Sequence, residues 1–342
     1  MAVALRLDLL EALSARVWGT DDADHHRHHE RPDHDHAHER HTVLREQGGE
    51  PVADHAHDDP RGKEQDALGA GAVAGREHLG GPQRVERLGA EAAAEKLGNV
   101  VIMGNAAESE RREGLYLDLF EEQRVRGVLV TPQSERRERI DALRARGIPS
   151  VLVDEHAPPS RCCSLAVDDF EGGRAAVEHL LAGGARRVAF VGGPDSLHQV
   201  ADRRAGAEQA VAAVSGASLE AVATSALTVL EGRRVGESLV DRPTSERPNA
   251  VFAANDLVAV GLLQALVFTH RLRVPEDIAL IGYDDIEFAT STIVPLSSIR
   301  QPAKLIGRSA MELLEEEVSD PEHRHRHVSF QPELVVREST RR

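Results

Sequence analysis

Aromatic side chains are scarce in this chain: one Trp, two Tyr and seven Phe stand among 342 residues, so ring stacking onto a bound molecule has few possible sources. Cysteine is rarer still. Cys162 and Cys163 are adjacent, which excludes a CxxC motif and a structural disulfide, and the simplest reading is a protein of the reducing cytoplasm. No apolar run approaches the roughly 18 to 20 residues that a membrane-spanning helix needs. The opening MAVALRLDLLEALSARVWGT is broken by Asp8 and Glu11 where a secretion signal would keep an apolar core. GxSxG, HExxH and GxxxxGK(S/T) are missing, no Cys/His dyad is evident, and the glycines of VGGPDS at 191–196 lack the dinucleotide spacing. These absences argue against an enzyme and call for no cofactor. A formal net charge of -16 leaves no whole-chain electrostatic footprint for nucleic acid.

What is present divides at about residue 87. Residues 1–87 hold eleven of the eighteen histidines and carry eleven Lys/Arg against eighteen Asp/Glu, a net of -7 by subtraction. Between Trp18 and Leu68 the only Val, Leu, Ile, Met or Phe residues are Val43, Leu44 and Val52. So little apolar surface does not offset chain entropy, and the segment reads as disordered, or as a translation out of its proper frame. The tract DHHRHHERPDHDHAHERH at 24–41 has the composition of a Zn, Ni or Cu chelator. No clear first strand precedes 88; the nearest, GAGAVAGREHL, is Gly-rich and weakly apolar.

From Leu88 onward strand and helix alternate. Strands are expected at 100–104, 127–131, 150–153, 188–191, 250–253 and 278–281, with 297–300 as a return crossing to the first lobe. Helices are expected at 90–97, 109–123, 137–146, 172–181, 201–214, 230–240, 257–270 and 303–317. Such alternation implies parallel sheets covered by helices, in two lobes joined by several crossings around a cleft. Two strands end abruptly in polar residues, AVFA before Asn255-Asp256 and IALI before GYDD at 282–285. In open α/β sheets ligands sit beyond the carboxyl ends of parallel strands, so Asn255, Asp256 and Asp284 project where a small polar molecule would bind. Asn offers donor and acceptor while carboxylates accept hydroxyl hydrogens, a combination suited to a sugar or other polyol.

Strand-AAND-helix, strand-GYDD and PLSSIRQP, with SVLVDEH, SLAVDDFEGGRAAVEHLLAGGARRVAFVGGPDS and ADRRAGAEQAV upstream, resemble the effector domain of LacI/GalR-type transcription regulators over about 88–338. The resemblance implies an α/β, two-lobe periplasmic-binding-protein-like effector domain with parallel sheets; the His-rich segment that composition reads as disordered precedes it. Lobe 1 is expected at 88–167 and 301–325, lobe 2 at 168–300 and 326–338. It further implies a small carbohydrate effector, a homodimer and operator DNA as partners. The helix-turn-helix headpiece of the family is not evident in residues 1–87, which makes DNA binding by this chain doubtful.

Carried onto this sequence, the effector-binding residues are Asn255, Asp284, Arg203 and Asp169, with Asp256 as helix cap and Asp168 structural. Leu227 stands five residues before Gly232, where the family often stacks an aromatic ring, and Ala207 replaces the aromatic of the RxxGF pattern. His156 reads as a strand-end residue, His179 as an exposed helix residue, and HRHRH at 323–327 as a solvated loop, so no metal site is assigned. Two rivals remain: a stand-alone sugar-binding protein of the periplasmic type, and a sugar-modifying enzyme.

Overall fold

The computed structural model describes residues 70–75, 82–106, 109–132, 137–269 and 271–341. The His-rich tract and the headpiece question fall on residues 1–69, outside the described residues. Two six-stranded sheets organise the rest. In the first the order is β11 (His327–Phe330), β5 (Ser164–Val167), β4 (Ser150–Val153), β3 (Gly127–Val130), β1 (Ala70–Gly75) and β2 (Val100–Asn105), every pairing parallel. In the second it is β12 (Glu333–Val335), β10 (Ser297–Arg300), β9 (Ala279–Asp284), β8 (Ala250–Ala253), β6 (Arg187–Gly192) and β7 (Ser218–Ala223), parallel except for β12 against β10.

Helices cover both faces of each sheet, which is why the inner strands are apolar on both sides. Along β6, Val188 and Phe190 face α4 (Asp169–Ala182) and α5 (His198–Ala212), whereas Ala189 and Val191 face α6 (Val229–Val240) and α7 (Asp256–Leu263). In the first lobe, Leu129 joins α1 (Pro82–Lys96) and α8 (Ala303–Ser319), while Val128 and Val130 meet α2 (Glu110–Glu122) and α3 (Glu138–Ala145). The segment expected as one helix at 257–270 is α7 followed by a π-helical turn, Gln264–Thr269.

Three expectations are corrected. A first strand exists: β1 lies between β2 and β3, pairing Ala72 with Ile102 on one side and Val128 on the other. Its Gly/Ala-rich composition hides it from hydrophobic pattern reading, and backbone pairing on two sides defines it. The division at 87/88 falls inside α1, so the described first lobe begins at Ala70. Residues 326–338 do not all belong to the second lobe, since β11 completes the first sheet and β12 the second. The chain therefore passes between sheets three times, after β5, after β10 and after β11. The first and third passages are tied where Asp168 N–H donates to Phe330 O at 2.9 Å.

Candidate effector-binding site

The strand ends and helix starts of the second sheet bring Asp169 and Asp284 together around Arg203. α5 lies against α4 with almost no clearance: a Cβ on Gly173 would stand 2.0 Å from Arg203 O. That approach aims the Arg203 side chain, buried at 5% exposure, into the space beyond β8 and β9. Its Nε donates to Asp169 Oδ1 at 2.8 Å and one Nη to Ala254 O at 2.7 Å. The other Nη lies 3.9 Å from Asp284 Oδ1, and the guanidinium sits 3.6 Å above the centre of the Tyr283 ring. Burial works against its charge, but Asp169, Tyr283 and Asp284 prevail and push its pKa up.

Asp284 ends β9 with φ +102°, a left-handed conformation that turns the chain sharply at the cleft. Burial drives its carboxyl from the ordinary 3.8 to about 7, against the opposing pull of Arg203 and of a 2.7 Å hydrogen bond from Gln301 Nε2. Gln301 belongs to the passage between β10 and α8, so this bond joins the site to a crossing.

The helix cap expected of Asp256 is supplied by Asn255. Asn255 caps α7: its Oδ1 accepts from Val258 N–H at 2.9 Å, and its Nδ2 donates to Leu227 O at 3.4 Å. Asp256 is fully buried and accepts from Ile286 N–H at 2.9 Å and Ser298 Oγ at 2.8 Å, fastening the turn that carries Asp284. Burial first, then the charge of Asp284, raises its pKa well above the carboxylate range. Gly282 is required beside it, because a Cβ there would come within 2.0 Å of Asp256 Oδ1. Asp168 is structural: it caps α4 through Glu171 N–H at 3.0 Å and accepts from Gln331 at 3.3 Å.

Sequence reasoning missed Glu86. It stands on α1 of the first lobe, 7% exposed, with Oε1 unmatched by any protein donor. Burial raises its pKa strongly, and the nearby charges of Asp154 and Asp284 add to the rise. An acidic residue in the first turns of α1 was the available signal. Leu227 is partly buried against both cores of the second lobe and presents an aliphatic side chain.

Two histidine readings change. His179 is half-buried and makes a 2.7 Å hydrogen bond with Thr340 Oγ1, and burial lowers its pKa. Within HRHRH, His323, His325 and His327 turn inward while Arg324 and Arg326 are exposed, so the run is not a solvated loop. His156 follows β4 and packs its ring 4.2 Å from that of His327.

Residues 177–340 match the family model of a periplasmic binding protein-like domain. The chain is 32% identical over 262 residues to the HTH-type transcriptional repressor PurR of Vibrio campbellii (strain ATCC BAA-1116), covering 74% of this chain and 76% of that protein. Among solved structures, a transcriptional regulator CelR–cellobiose complex superposes with a TM-score of 0.71 at 26% identity, over 79% of this chain and 84% of that one. A LacI family regulator from Enterococcus faecium with bound ribose shares the fold, with a TM-score of 0.71 at 24% identity over 79% and 98% of the two chains. With its two largely parallel sheets, its three crossings and this likeness over three quarters of its length, the chain belongs to the LacI/GalR family of transcription regulators and carries their effector-binding core.

Proposed function

We propose that this regulator senses a neutral polyhydroxyl effector, a sugar, held between its lobes by Arg203, Asp169, Asp284 and Asn255, with Glu86 facing them from the first lobe. The observation that carries the reading is the donor set: one buried guanidinium, already paired with Asp169, stands near the carboxyls of Asp284, Glu86 and Asp154, and burial pushes Asp284 and Glu86 toward their neutral forms. A phosphate or carboxylate ligand would find no unpaired cation among these residues. Vicinal hydroxyls suit this set, because they donate to the carboxylates while accepting from the guanidinium. Leu227 supports the same choice over a planar base, since an aliphatic side chain offers no ring face for stacking. The cellobiose complex of CelR is consistent with a carbohydrate ligand in this fold.

Signalling follows from where the site is built. Asp284 is bound to Gln301 of one crossing, so an effector hydroxyl donating to Asp284 competes with or reinforces that bond and biases the angle between lobes. The output is regulation of operator DNA by a cytoplasmic homodimer, without catalysis. Leu88 on α1, Leu97 just beyond it, and Val100 and Met103 on the edge strand β2 are exposed apolar side chains at this side of the first lobe, which supports pairing of first lobes. No helix among the described residues is long and apolar enough to cross a membrane.

The test is a thermal-shift panel of mono- and disaccharides, nucleosides and purine bases on the full chain, followed by titration calorimetry of the best ligand. Asp284→Ala removes a charge-assisted hydrogen bond and is expected to weaken binding by about 10- to 150-fold, or roughly 1.5 to 3 kcal/mol. A planar base or an organic phosphate as best ligand, or equal binding by the variant, defeats the assignment. Mass spectrometry of the ligand after incubation separates sensing from turnover.

A further inference from the structure

We propose that Cys163, Glu317, His323 and His325 form a binding site for a divalent transition-metal ion of the zinc class, at the end of the first lobe remote from the effector cleft. The four residues come from three places in the sequence. Cys163 immediately precedes β5, Glu317 lies in the last turns of α8, and the two histidines lie in the return from α8 to β11. One ligand atom from each falls within 4.8 Å of all the others. Metal bonds of about 2.0 Å to nitrogen or oxygen and 2.3 Å to sulfur, arranged tetrahedrally, set ligand atoms roughly 3.3 to 3.8 Å apart. Cys163 Sγ is 3.1 Å from His323 Nε2, and His325 Nδ1 is 3.7 Å from Glu317 Oε2, so small side-chain shifts reach that geometry.

A second observation points to a ligand. Glu317 is 90% buried, yet its Oε2 has no hydrogen-bond partner, and neither has His325 Nδ1 opposite it. Two such atoms buried together and unsatisfied are costly unless something joins them. A cation between them satisfies both. The donor set also suits a borderline-soft ion rather than Ca²⁺ or Mg²⁺: thiolate, carboxylate and two neutral imidazoles sum to -2 and balance M²⁺.

The surroundings fit a supporting shell for such a set. Arg144 donates to Glu317 Oε1 at 2.8 Å and to Ser150 O at 3.0 Å, which leaves Oε2 turned to the site. Arg326 N–H reaches Cys163 Sγ at 3.4 Å, and Glu316 Oε2 lies 3.9 Å from His323 Nδ1. One contact must change. Arg144 stands 3.1 Å from His325 Nε2, an arrangement that places the imidazole proton on Nδ1. Ligation through Nδ1 moves that proton to Nε2, and Arg144 then keeps only Glu317 and Ser150.

Because β5 runs from Cys163 to the crossing at Asp168, the metal site and the cleft lie at opposite ends of one strand. Metal would staple the α8–β11 return to the edge of the first sheet without touching the effector residues.

Cobalt separates this site from the His-rich tract at 24–41, which contains no cysteine. The full chain, stripped with chelator and kept reduced, is titrated with Co²⁺ and followed by its thiolate-to-cobalt charge-transfer absorption. The band is expected at one Co²⁺ per chain, retained in Cys162→Ser and displaced by Zn²⁺. It should vanish in Cys163→Ser, and the His323→Ala/His325→Ala double variant should weaken Co²⁺ at least tenfold. Effector affinity and far-UV circular dichroism should be unchanged in these variants, which separates a lost ligand from a lost fold. Absence of the band in the unaltered chain, or its persistence in Cys163→Ser, overturns the assignment.

Discussion

At the scale of single residues, Asp284 is the group whose environment makes the most specific demand. Its carboxyl titrates near pH 7 in the folded chain against 3.8 ordinarily. Between those values the folded state holds a proton that the unfolded chain has released. This residue's contribution to stability therefore falls as pH rises from about 4 to about 7 and is level above that window. Effector binding should run the other way. Hydroxyls that donate to Asp284 need the carboxylate, whose population rises about tenfold between pH 6 and pH 8 for a group with this pKa. Calorimetric titration at the two pH values should give close to that ratio in affinity, with Asp284→Asn levelling it. A flat profile in the unaltered chain would mean that Asp284 does not receive the ligand's protons. That Arg203, Asp169 and Asp284 lie together was legible in the sequence, but not the contacts that each polar residue makes. Asn255 and Asp256 are both polar residues at a strand end, and only the fold decides that the first caps α7 while the second is buried against Ile286 and Ser298. Glu86 escaped because its partners, Asp154 and Asp284, are distant in sequence.

At the scale of elements, three helix pairs are joined by reciprocal glycines. Gly173 and Gly206 serve α4 with α5, Gly232 and Gly261 serve α6 with α7, and Gly89 and Gly307 serve α1 with α8. In each case a Cβ would stand 1.8 to 2.2 Å from a backbone oxygen of the facing helix. Backbone does not yield as a flexible side chain does, so Gly173→Ala is expected to cost about 1 to 3 kcal/mol or more. Since the clash is with Arg203 O, the same change should displace the guanidinium and weaken the effector. Gly183→Ala, whose nearest neighbour is a carbonyl oxygen 3.4 Å away, is the control, expected within about 0.5 kcal/mol of the unaltered chain by thermal melting. Equal melting temperatures for the two variants would refute the close-approach argument. Long periodic segments were readable without the structure, because α2, α4, α6 and α8 each carry an apolar stripe over twelve or more residues. Short or exposed strands were not. β7 is mostly exposed, β11 and β12 span four and three residues, and β1 is AGAVAG, so none carries the apolar signal that pattern reading depends on.

At the scale of the whole molecule, the two-lobe plan followed from strand and helix alternation, whereas the completeness of the first lobe did not. A parallel sheet lacking a central strand would leave two rows of backbone groups unpaired and would cost more than the roughly 5 to 15 kcal/mol that stabilises a domain. β1 removes that defect by pairing with β2 and β3 at once. Peptide-resolved hydrogen exchange should therefore find residues 127–130 and 150–153 as strongly protected as residues 188–191 and 250–253, since all four strands are buried throughout or nearly so. The decisive variant is Ala72→Pro, at the position paired with both Ile102 and Val128. Proline withdraws a ladder donor and is not accommodated in a central strand. Protection in β2, β3 and β4 should collapse in this variant while the second sheet, whose cores are built from residues 175–334, retains its own. If protection across residues 100–153 survives Ala72→Pro unchanged, β1 is not the strand that closes the first sheet, and the first lobe is held together by its helices alone.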